Sequence, residues 1–212
     1  MNCAICAVRR PKRLCPGVGG EICSICCGTG REQTVSCPLD CEYLQDARRH
    51  EKANRKSADE LPDKDIKVTD EFLNERQALV MALGGIVSGT ALETAGAVDS
   101  DLRDALAALV RTYRTLVAGV YYETVPENAV AARVFRGVQD GIQKLRDEER
   151  RNLGIQAIRD GDLLRCLVFL EQVAVVNDNG RRRGRAAIDL LLALASPEEQ
   201  SPAAPRSLLV LP

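Results

Sequence analysis

From Thr69 to about Ala195 the apolar residues recur at spacings of three and four, the period of amphipathic helices. Thr69 can cap a first helix carrying Phe72, Leu79, Leu83 and Val87 on one stripe. Gly84 and Gly85 lie inside it and either admit a close neighbour or mark a kink. A second helix begins near Asp99 or Ser100. It sets Leu102, Leu106, Leu109, Tyr113, Leu116 and Val120 on the cleanest stripe in the chain. Thr124-x-x-Glu127, with Pro126 between, reads as a capping box. The third helix then presents Val130, Val134, Val138, Ile142 and Leu145 and ends in LRDEERRN. A fourth, LLRCLVFLEQVAVV, is apolar nearly all round and is expected to be the most buried. A turn at Asn177-Asp178-Asn179-Gly180 leads to a fifth, from about Gly184, carrying Ile188, Leu191, Leu192 and Leu194. Residues 69–195 are therefore expected to form an all-α helical bundle of about five helices.

The first fifty residues follow a different logic. They hold eight of the nine cysteines, in the order Cys3-x2-Cys6-x8-Cys15-x7-Cys23-x2-Cys26-Cys27-x9-Cys37-x3-Cys41. Cysteines so paired either bridge as disulfides in small secreted domains or hold zinc. The opening MNCAICAVRR has no apolar h-region, so a cytoplasmic chain and zinc are expected. A two-residue spacing also strains a disulfide but lets both sulfurs reach one tetrahedral ion. Eight thiolates divide into two four-sulfur structural sites. Cys3, Cys6, Cys23 and Cys26 suit one ion, and Cys15, Cys27, Cys37 and Cys41 the other, with the exchange of Cys26 and Cys27 left open by the sequence. The two sets interleave, which predicts a small zinc-bound finger of treble-clef or cross-brace type. Cys37-Pro38-Leu39-Asp40-Cys41 resembles a helix start, with Pro38 in the first position and Asp40 near the positive end of the dipole. His50, the one histidine, lies nine residues beyond Cys41. In a helix that is about 180° round and about 13 Å along, so it is expected at the surface rather than on a metal.

CAIC, Cys15-Pro16, ICSICCGTGRE and CPLDCEYLQDARRHE together resemble the N-terminal finger of a group of uncharacterised bacterial proteins. The order of cysteines is similar, more loosely, to eukaryotic MYND, B-box and HIT fingers. The MYND pattern requires a second Cys-x2-Cys pair and a final His and Cys, whereas here Cys15 stands alone at the second pair. The bacterial resemblance covers residues 1–51 and extends weakly to TYRTLVAGVYYE and NGRRRGRAAIDLL. It implies zinc binding and a bacterial source, and no activity; the eukaryotic fingers imply two interleaved zinc ions and protein partners.

Composition narrows the picture. Aromatics make up 3% of the chain and tryptophan is absent, so the core is expected to be Leu, Val and Ala. The formal charge of −1 argues against a general nucleic-acid binder, and no apolar run reaches the length of a membrane span. Residues 52–68 are charged and read as a linker, and 196–212 as a proline-rich disordered tail. Arg9, Arg10, Lys12 and Arg13 form a basic loop best explained as offsetting two tetrathiolate sites. Cys166, inside the fourth helix, reads as a small buried hydrophobe. Asp160 and Asp162 read as acids at a helix start. No nucleophile–histidine pair, glycine-rich dinucleotide turn or phosphate loop is present in the sequence. The remaining feature is Arg181, Arg182, Arg183 and Arg185 at the start of the fifth helix, a candidate site for an anionic partner. The chain is accordingly expected to be a non-enzymatic interaction protein, acting as an adaptor or regulator on another macromolecule, most simply a protein. Nucleic-acid binding through residues 9–13 and 181–185 is the alternative, and an enzyme a more distant one.

Overall fold

The computed structural model describes residues 2–50, 60–155 and 157–195. The tail 196–212 and the first part of the expected linker lie outside them. The N-terminal part pairs a short antiparallel hairpin, β1 (Arg13–Cys15) and β2 (Gly20–Ile22), with two helices, α1 (Ser24–Gly30) and α2 (Glu42–His50). The larger part is helical: α3 (Asp70–Glu75), α4 (Gln77–Glu93), α5 (Asp99–Val117), α6 (Ala129–Leu153), α7 (Asp160–Asn177) and α8 (Ala186–Ala195). Helix α5 packs on α6 and α7, α4 packs on α6 and α8, and α7 packs on α8. Among the described residues no helix is long and apolar enough to cross a membrane.

The five stripes correspond to real helices, with four corrections. Val120, expected on the second stripe, lies beyond the end of α5 and is exposed. Thr69 caps as expected, its hydroxyl accepting from the Phe72 N–H at 3.2 Å, but that helix breaks at Arg76 into α3 and α4. The expected box at Thr124–Glu127 does not form. Thr124 N–H is drawn to Thr112 Oγ1 (3.0 Å), and Asn128 Oδ1 caps α6 through the Val130 N–H (2.8 Å). Asp160 and Asp162 do not cap α7; they pair with Arg146 and Arg76. Helix α7 is buried along most of its length, as its all-round apolar pattern requires.

Two glycines set how closely α4 and α6 approach. A Cβ on Gly137 would fall 2.5 Å from Thr90 Cγ2, and one on Gly141 would meet Ile86. The α6 glycines thus leave room for the side chains of Thr90 and Ile86. Gly84 and Gly85 are less tight, with Leu170 and Ala195 at ordinary contact distance.

Part of the expected linker belongs to the helical unit. Ile66 and Val68 pack against its core, Gln172 Nε2 donates to Pro62 O (2.9 Å), and Arg114 pairs with both Asp63 and Asp65. Beneath this strap Glu171 is 5% exposed, and its Oε2 is buried without a hydrogen-bond partner. Burial, and then Asp63, push its carboxyl up to about 7, against the pull of Arg111 and Arg114. The folded chain therefore keeps this proton where the unfolded chain has lost it, so the contribution of Glu171 to stability rises as pH falls from about 7 toward 4.5. Denaturant melts of the intact protein and of Glu171→Gln across that window should show the substitution flattening the dependence. Parallel curves for the two proteins would contradict it.

Candidate metal centre and its joint to the bundle

Two cysteine knuckles face each other at the tip of the finger. Cys3-Ala4-Ile5-Cys6 and Cys23-Ser24-Ile25-Cys26 are brought together by the hairpin, whose outer bonds run from Ala4 N to Glu21 O and from Lys12 N to Ile22 O, both 2.9 Å. Cys23 then caps α1, its sulfur accepting from Cys26 N at 3.4 Å. Cys3 Sγ accepts from Cys23 N at 3.2 Å. The sulfurs of Cys3, Cys6, Cys23 and Cys26 all lie within 4.8 Å of one another. A tetrahedron of sulfurs about 2.3 Å from a zinc ion has edges of about 3.8 Å, so four thiolates placed this way can hold a metal ion. Among the described residues this is the one such group that closes to that distance.

The electrostatics suit a metal-binding quartet. Burial pushes the Cys3 thiol up, but hydrogen bonds from the backbone of Cys6, Cys23 and Ile5, with the Cys6 side chain, outweigh it and bring it down to about 6. Cys26 moves the other way, to about 12, through its bond with Cys23 and its burial. Cys3 and Cys26 are thus driven in opposite directions, a conflict that a divalent cation removes. Arg9 lies in hydrogen-bonding reach of Cys23, and that contact and the charge on Cys6 raise its pKa. Arg13 donates to Cys27 Sγ at 3.3 Å and stacks over the Tyr43 ring at 4.5 Å. Two of the four basic residues in the 9–13 loop therefore sit against cysteine sulfurs, as charge compensation requires.

The other four cysteines do not close to that distance but share a cavity. Cys15, Cys27, Cys37 and Cys41 line one cavity of about 20 Å³, with Ile22, Val35, Tyr43 and Leu44 among its walls. Space of that size admits about one water-sized sphere. Cys26 lies in the first group, and Cys27 lines this cavity. The helix expected from Pro38 does not start there. Cys41 N–H bonds Pro38 O (3.2 Å) in a turn, and Cys37 O accepts from Arg185 Nη2 (2.6 Å). Helix α2 begins at Glu42. His50 ends it, exposed. Cys166 is fully buried in α7, and burial pushes its thiol up to about 12, which disfavours the reactive thiolate.

The arginines at 181–185 occupy an unexpected place. Three of the four close the joint between finger and bundle, while Arg182 is exposed and reaches Gln33 Oε1 through its backbone N–H (3.5 Å). Arg181 Nη1 donates to Arg31 O (2.9 Å), Arg183 Nη1 to Ser36 Oγ (2.6 Å) and Arg185 Nη2 to Cys37 O (2.6 Å). At the centre is Glu32, in left-handed conformation (φ 52°) and 1% exposed. Its carboxylate accepts from Arg48 Nη2 (2.7 Å), Asn179 Nδ2 (2.9 Å) and Arg185 N (3.1 Å), and its carbonyl from Arg183 N (2.7 Å). Arg48 reaches on to Asp189 of α8. Helix α8 is fixed from the other side, where the buried Asp99 accepts from the N–H groups of Ala187 and Ile188, each at 3.1 Å. Sequence reasoning does not reach Glu32, Arg48 or Asn179. The one signal is the arginine run itself, whose counter-charge lies some 150 residues earlier in the chain.

No protein-family model, curated protein or solved structure matches this chain.

Proposed function

We propose that the protein is a zinc-dependent interaction protein whose finger carries two structural zinc ions and recognises another macromolecule, most simply a protein. The first ion is assigned to Cys3, Cys6, Cys23 and Cys26, the second to Cys15, Cys27, Cys37 and Cys41. Four thiolates complete a zinc shell and leave no position for a reacting water, so both ions are read as structural rather than catalytic. The observation that carries the recognition role is the finger's exposed aliphatic surface. Ile5, Val8, Leu14, Val18 and Ile25 are all exposed, within 25 residues of the N-terminus. Val8, the most open, is 80% exposed. In a unit this small such exposure exceeds what folding requires and suits a partner. Arg10 and Lys12 beside it lend a local positive charge.

Affinity capture from lysate with the intact protein tests the reading, run beside Val8→Glu and across a salt series. A protein retained at raised salt and lost with Val8→Glu is the expected result. A nucleic acid whose binding falls steeply with salt would instead favour backbone recognition. Equal capture by the intact and substituted proteins would remove the finger surface from consideration.

A further inference from the structure

The two cysteine groups differ in what they are attached to. Cys3, Cys6, Cys23 and Cys26 hold the hairpin and the knuckles. The joint to the bundle arises elsewhere: every bond described above between finger and bundle starts from residues 31–48. That stretch lies among the ligands of the second group. Residues 31–36 are the loop from the end of α1 to Cys37, and Glu32 stands in it. Cys37 is itself a joint residue, through its carbonyl and Arg185. Arg48 follows Cys41 on α2 and bonds Glu32.

We infer that the Cys15, Cys27, Cys37 and Cys41 site and the 179–185 loop form one linked unit, in which docking of the bundle sets the metal affinity of that site and not of the other. This rests on the reading that the second quartet holds a metal. Docking fixes the 31–36 loop and so holds Cys37 at the cavity that Cys27, on α1, already lines. Without docking, the ordering of a six-residue loop (31–36) must accompany metal binding. Linkage requires the converse: an ion in the second site strengthens the joint by the same factor that the joint strengthens ion binding. Arg183 and Arg185 are positioning residues here; neither touches the ion.

The test uses the full chain loaded with Zn²⁺ and titrated with a chelator, with bound ions counted by native mass spectrometry. The intact protein is compared with Arg185→Ala and Ser36→Ala. Couplings of this kind are usually about 5–150-fold. Arg185→Ala is expected to weaken one ion by at least about 5-fold and leave the other unmoved, and Ser36→Ala to do the same less strongly. A second measurement needs no variant. Hydrogen exchange at the Arg183 and Arg185 amides, which bond Glu32, should rise when the ion of the Cys15, Cys27, Cys37 and Cys41 site leaves the intact protein. Both ions weakening together, or neither, or amides indifferent to the departing ion, would overturn the linkage while leaving two metal sites in place. An intact protein that binds a single ion would instead overturn the second site itself.

Discussion

Alanine at Glu32 is expected to destabilise the joint between finger and bundle by about 3–5 kcal/mol, the usual cost of removing one partner from a buried charge pair. The size follows from what the carboxylate satisfies. Arg48, with its side chain 12% exposed, would keep Asp189 but lose its buried partner. Asn179 Nδ2 and the Arg185 N–H would lose their acceptor, and a buried donor left without one costs about 1–3 kcal/mol. Against this, alanine is no better suited than glutamate to φ 52°, so backbone strain offers no relief. Because the bonds lie between two parts, the loss should show first as undocking. Protease cutting near the 178–185 turn should accelerate while most helical signal remains. Glu32→Gln keeps the shape and one acceptor and should fall between the two. If Glu32→Ala cuts no faster than the intact protein, the joint is not held here.

Stripping metal is expected to have the larger local effect. The buried cluster of the finger consists of Cys3, Cys15, Ile22, Cys23, Cys26 and Val35, with Cys6, Cys27 and Cys37 against it. Only Ile22 and Val35 among these are not cysteine, too little apolar area to order about fifty residues. Structural zinc sites supply roughly 10–16 kcal/mol in finger peptides, and here the metal must stand in for the missing core. Chelation should therefore unfold residues 2–50. The helical part has its own core, with Leu102, Leu106, Leu109, Phe135, Leu163 and Leu167 each fully buried, and should remain folded. Hydrogen exchange resolved along the chain distinguishes the two. Loss of protection in the hairpin and α1, with protection kept in α5 and α7, is the expected pattern. Protection kept throughout the finger without metal would contradict it.

What the sequence makes legible depends on the range of the forces involved. The stripes at Leu102–Tyr113 and Val134–Ile142 are local periodicities, and burial follows them closely. Cysteine spacing is also local, and it leads to the Cys3, Cys6, Cys23, Cys26 group. The start of α2 is misread because Cys41 N–H closes a turn on Pro38 O and the helix begins at Glu42. The capping box at Thr124 fails because Thr112 competes for its N–H. The arginine run reads as a free patch because a charge pattern shows the cations and not their distant acceptors. The glycines of α6 are silent in sequence; only the neighbouring Thr90 and Ile86 explain them.

The central claim is that the N-terminal cysteines hold metal in two four-sulfur sites, and native mass spectrometry of the full-length protein purified under reducing, zinc-replete conditions tests it most directly. Two zinc ions per chain are expected, with one lost in Cys41→Ser and none in Cys166→Ser. A chain that carries one zinc ion or none, or that loses none in Cys41→Ser, would contradict the account.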